Sequence, residues 1–109
     1  MPGEIEERLL SHASIVEASV VGVPHPKYGE SVAAFVRQAD QANRPGDAEL
    51  TTWVRETLGR HKAPEHVFWV GDEHVGDDFP KTASGKHQKH LLRDLAASLL
   101  KANVIRAKL

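Results

Sequence analysis

The chain has 109 residues, 40% hydrophobic and 27% charged, with a net charge of −1 at pH 7, which suits one small domain and excludes a large enclosed substrate cavity. No cysteine is present, so a disulfide framework, a thiolate nucleophile and a sulfur-ligated zinc site are excluded. Apolar runs are short, none longer than residues 32–36, and Glu4, Glu6 and Glu7 crowd the N-terminal region. Neither a membrane span nor a signal peptide is expected, and an intracellular setting, cytoplasmic or organellar, is.

The near-neutral sum hides a split. Residues 1–80 hold 7 Lys+Arg against 14 Asp+Glu, whereas residues 81–109 hold 7 against Asp94 alone. A basic end of this kind is either a solvated helix face or an approach to an anion such as a nucleotide, coenzyme or nucleic acid.

Ile5, Leu9 and Leu10 recur at helical spacing and predict a first helix over residues 4–12, with Pro2 near its start where a missing N–H is harmless. β-Branched residues then dominate 15–23, and the apolar stretch 31–36 repeats that character, so both read as strands. Between them, residues 24–30 predict a loop stiffened by Pro24 and Pro26 and relaxed at Gly29. Residues 40–47 form a polar connector with a turn at Pro45-Gly46, after which Asp47 is placed to cap a helix. Leu50, Trp53, Val54 and Leu58 give that helix one apolar stripe, and Gly59 and Pro64 end it.

Residues 66–70 predict a third strand. Residues 71–85 follow as a fifteen-residue loop with two acidic pairs, three glycines and little apolar material; loops that long in compact domains are functional or disordered. Leu91, Leu92, Leu95, Leu99 and Leu100 then line one face of a terminal helix, with fraying expected over 103–109. The order predicts an α+β fold over residues 1–109: a small mixed or antiparallel sheet of about three strands covered by three helices. The first two strands pair antiparallel and the second helix crosses over to the third strand.

One segment carries a chemical signature. In Pro80-Lys81-Thr82-Ala83-Ser84-Gly85-Lys86, small and hydroxylic residues let the backbone approach an anion, and Gly85 permits a tight turn. Lys86 brings a cation on a long stem at the mouth of the basic helix. A Walker loop is excluded, because Pro80 stands where the motif needs glycine and His87 where it needs a hydroxyl. No metal site is expected: His87, His90 and Asp94 share a helical face but lack a metalloprotease motif, and the acidic loop lacks calcium-loop periodicity. Nucleic-acid binding is not expected either, since no aromatic residue follows Phe79 to stack a base.

Four motifs in order resemble those of the C-terminal lid domain of the adenylate-forming enzymes, the superfamily of acyl-CoA synthetases, non-ribosomal peptide adenylation domains and luciferase. Pro2-Gly3-Glu4-Ile5-Glu6 resembles the opening of that domain's first helix. Val20-Val21-Gly22-Val23-Pro24, followed by Tyr28-Gly29-Glu30, is similar to its Val-Val-Gly-x-Pro and aromatic-Gly-Glu. His61-Lys62-Ala63-Pro64 resembles its Tyr-Lys-x-Pro, and residues 80–86 resemble its Pro-Lys/Arg-Thr-x-Ser/Thr-Gly-Lys. The chain departs from the pattern after Lys86, where His87, Gln88, Lys89 and His90 stand in place of a hydrophobic residue and an arginine pair.

The resemblance implies the lid of an AMP-forming acid-thiol ligase of fatty-acid or related carboxylate metabolism. Lys86 would be its adenylation lysine, and Thr82, Ser84 and Gly85 would form the nucleotide-facing turn. Gly22, Tyr28, Gly29 and Glu30 would lie on an interdomain or CoA-side surface. It further implies ATP with Mg, and CoA, as reactants of the full-length enzyme, none held by this domain alone. The partner would be a large N-terminal domain holding the acyl and adenine sites. Met1 directly before Pro2 points to a chain that begins at the interdomain hinge and is inactive alone. The alternative is a free-standing or in-trans lid or binding module without catalysis of its own.

Overall fold

A mixed sheet organises the chain. In the computed structural model, which describes residues 2–25, 29–40, 44–72 and 74–107, its strands are β1 (Ile15–His25), β2 (Gly29–Gln38) and β3 (His66–Trp69), in the order β1-β2-β3. β1 and β2 pair antiparallel, from Glu17 opposite Arg37 to His25 opposite Gly29, with an irregularity between Ile15 and Glu17. β2 and β3 pair parallel, from Ala33 opposite His66 to Val36 opposite Trp69. A parallel neighbour needs a crossover, and helix α2 (Asp47–Leu58) with the 3₁₀ turn Arg60–Lys62 supplies it. Helices α1 (Pro2–Leu10) and α3 (Lys89–Ala107) complete the expected α+β architecture.

Strand alternation sorts the apolar residues into two cores. On one face, Val20, Ala34, Val36 and Trp69 pack with Ile5 and Leu9 of α1 and Leu50 and Val54 of α2. On the other, Val21, Val23, Ala33, Phe35 and Phe68 pack under Leu92 and Ala96 of α3. A sheet covered on both sides reads as a continuous apolar run, which is why residues 31–36 show no polar alternation.

Several expectations are corrected. Of the stiff loop expected over 24–30, the described residues 24–25 and 29–30 are strand, with Pro24 paired to Glu30 and His25 to Gly29, and Tyr28 lies outside the described residues. Asp47 is the first residue of α2, not its cap. Gly46 occupies the cap position without a side-chain hydrogen bond, and the Asp47 carboxylate accepts from Trp69 Nε1 at 2.8 Å. Gly59 ends α2 with φ +91°, a conformation glycine adopts without steric cost. The loop over 71–85 is anchored, with Val75 and Phe79 buried in the second core. Leu91 is exposed, so the buried stripe of α3 runs through Leu92 and Ala96.

Candidate functional site

Lys86 projects from a tight turn whose geometry follows from its residue types. Lys81 and His87 form an antiparallel bridge across its base. Thr82 N donates to Lys86 O at 2.8 Å, and Gly85 N to Thr82 O at 2.9 Å. The Thr82 hydroxyl accepts from Lys86 N at 3.2 Å and shares a hydrogen bond with Ser84 Oγ at 3.0 Å. Gly85 takes φ +88°, which a side chain would strain. The Thr82 and Ser84 hydroxyls therefore build the turn that displays Lys86. Residues 81–86 are all exposed, and no described side chain pairs with the Lys86 ammonium.

The base of the turn is fastened to the sheet by Glu17, a residue that motif reading missed. Its Oε2 accepts from His87 Nε2 at 2.8 Å and lies 3.0 Å from Lys81 Nζ, while its Oε1 accepts from Arg37 Nε at 3.2 Å. Arg37 also reaches the Asp78 carboxylate, which in turn accepts from Phe79 N. The Phe79 and His87 rings stack with centroids 4.7 Å apart. Burial pushes the Glu17 carboxyl upward, but the hydrogen bonds from His87, Lys81 and Arg37 outweigh it and lower its pKa from 4.5 to about 2. A sequence signal existed: Glu17 is the one acidic residue in a mostly apolar strand, in step with Val21 and Val23 on the α3 face.

His87 is thus committed to Glu17 and Phe79, and among the described residues no cluster of three or more His, Asp or Glu side chains is arranged to hold a metal. The acidic loop is not simply solvated. Asp72 pairs with Arg44 at 2.7 Å, which holds its carboxyl below the usual range. No helix among the described residues is long and apolar enough to cross a membrane.

Of the remaining candidates, the described Gly22, Gly29 and Glu30 lie at the far end of the β1–β2 hairpin. The Glu30 side chain fills the space over Gly22, where an added Cβ would stand 2.3 Å from the Glu30 carboxyl carbon. Beside it, a groove of about 650 Å³ is lined by Glu30, Val32, Arg55, Arg60 and His61 among others. Arg37 and Glu30 are seven residues apart on β2, so this end stands roughly 20 Å from the base of the Lys86 turn. Lys62, in the His-Lys-x-Pro segment, pairs with Glu4 at 2.7 Å. The site residues therefore form two groups at opposite ends of one hairpin.

The AMP-binding enzyme C-terminal domain family matches residues 4–86, ending at the exposed lysine. The chain belongs to that family. It is 57% identical over 99 residues to the acyl-CoA ligase cnsG of Penicillium expansum, an alignment that takes in 91% of this chain and 21% of that protein. It is 55% identical over 100 residues to the acyl-CoA ligase sidI of Aspergillus fumigatus, covering 91% and 17%. The Brucella canis acyl-CoA synthetase superposes with a TM-score of 0.78 at 36% identity, over 92% of this chain and 18% of that one. The chain spans about a fifth of the length of the curated relatives it matches.

Proposed function

We propose that this domain is the lid of an ATP-dependent acyl-CoA ligase and that Lys86 supplies the positive charge for adenylation. The observation that carries the reading is an exposed lysine without a described partner, held on a hydrogen-bonded turn at the end of the family match. In adenylation, a carboxylate oxygen of the acid attacks the α-phosphorus of ATP, delivered with Mg. The bond to the β-phosphate oxygen breaks, and pyrophosphate leaves. Two anions converge and charge builds on the phosphate oxygens, where an ammonium in a water-poor cleft stabilises the transition state more than the ground state. A long stem on a fixed turn suits that task, and closure of the lid excludes the water that would hydrolyse the acyl-adenylate.

The second step needs no cation at the phosphate. The thiol sulfur of CoA, its proton lost to solvent or a base, attacks the acyl carbonyl carbon and AMP leaves. The opposite end of the hairpin serves this step, with Gly22, Gly29 and Glu30 facing the thiol and Arg55 and Arg60 suited to coenzyme phosphates. Separation of the two groups along β2 fits a lid that rotates between steps. On this reading the acyl pocket and the adenine site belong to the rest of the ligase, and the domain by itself does not turn over.

The test is Lys86→Ala in the ligase that carries this domain. Pyrophosphate exchange is expected to fall by about 10²–10³-fold, while thioester formation from supplied acyl-adenylate is largely spared. Equal loss of both steps, or of neither, overturns the assignment.

A further inference from the structure

Three side chains, from β2 and from both legs of the turn, converge on one carboxylate to which the adenylation reading gives no role. Glu17 stands on β1, directly opposite Arg37 on β2, and both point to the face that carries the Lys86 turn. Lys81 and His87, the two residues that close the turn, both reach Glu17 Oε2, at 3.0 and 2.8 Å. Only residues 82–86 lie between them. One carboxylate therefore ties both legs of the turn to the sheet, and the Glu17 side chain is only 23% exposed. Phe79, 4% exposed, supports the same base by stacking on His87. The turn has internal hydrogen bonds, but all its residues are exposed and none of them reaches the core, so its direction relative to the sheet depends on this attachment.

We infer that Glu17 is a positioning residue, which fixes the base of the turn so that the Lys86 ammonium reaches the same place at each lid closure. The inference rests on the adenylation role of Lys86. Glu17 acts through Lys81 and His87 and touches no reacting atom. A displacement of about 1 Å in such a group costs on the order of 10²-fold in rate, so the effect belongs to kcat of adenylation and not to ground-state binding of ATP.

In the ligase that carries this domain, Glu17→Ala is expected to lower the kcat of pyrophosphate exchange by roughly 10–100-fold. KM for ATP and thioester formation from supplied acyl-adenylate should stay near their original values. Glu17→Gln, which keeps acceptor oxygen and shape, should lose less, and it serves as the readout if the alanine variant does not fold. In the present chain, amide hydrogen exchange at Thr82, Gly85 and Lys86 should accelerate by on the order of tenfold in either variant, with α2 unchanged.

Equal loss of both steps, tracking a general drop in melting temperature, overturns the positioning role and leaves Glu17 as a stabilising contact. Unchanged exchange at the turn overturns it as well. Lys86→Ala measured in parallel separates the two readings. If that variant keeps pyrophosphate exchange, the adenylation role fails and the positioning role falls with it, and the amide measurement still reports whether Glu17 holds the turn. If Lys86→Ala abolishes exchange and Glu17→Ala does not, only the positioning role falls.

Discussion

At the scale of single residues, Glu17 makes the domain sensitive to acid. Its folded-state pKa of about 2 lies below the ordinary 4.5, so folding favours the ionised form. The stabilisation it contributes is complete above about pH 4.5 and is lost as pH falls from there toward 2. Glu4 beside Lys62 and Asp72 beside Arg44 shift in the same direction, but Glu4 is exposed and adds little. At pH 7, Glu17→Gln is expected to cost about 1–3 kcal/mol. Thermal melts between pH 7 and 2 should show a shallower acid decline in the variant, and parallel declines would contradict this account. Lys86 and its turn were legible from a local motif, because the hydrogen bonds that shape the turn internally lie within residues 80–88. Glu17 was not, because its partner His87 is 70 residues away in sequence.

At the scale of elements, the fifteen residues after β3 decide how firmly the turn is seated. Their low apolar content suggested a free loop, yet Val75 and Phe79 are buried at 7% and 4% exposure. Two anchors suffice because Gly71 and Gly76, at φ +109° and +108°, fold the segment back: Gly71 N donates to Gly76 O at 2.7 Å. Phe79→Ala should cost about 3–5 kcal/mol in chemical denaturation, with exchange protection lost first around residues 81–87. A cost below about 1 kcal/mol would show that the loop is not seated by this ring. Helix α1 has a comparable role at the sheet edge. Glu6 accepts from Val20 N at 2.7 Å, Lys89 donates to Val20 O at 3.2 Å, and the two side chains pair with each other. Those contacts cover backbone groups that an edge strand otherwise offers to another chain.

At the scale of the whole molecule, the sheet separates two cores, and α3 is the cover of one. Deleting residues 89–109 would uncover Val21, Val23, Ala33, Phe35 and Phe68; the truncated chain is expected to bind the dye ANS and to lose cooperative thermal unfolding. A sharp melt without dye binding would show that α3 is dispensable to the core. The presence and order of three strands, three helices and the Lys86 turn follow from the sequence alone, because periodicity, glycine placement and hydrogen bonds within a few residues are local properties, whereas the reach of β1 and β2 to His25 and Gly29 comes from their pairing. Which side of each strand faces which helix was not legible, since a sheet buried on both faces carries apolar residues at nearly every position. Pairing register decided that, and with it the meeting of Glu17, Arg37, Lys81 and His87 and the separation of Lys86 from Gly22 and Glu30. Contacts between residues distant in the chain depend on how strands align in space, and only the folded arrangement determines that alignment.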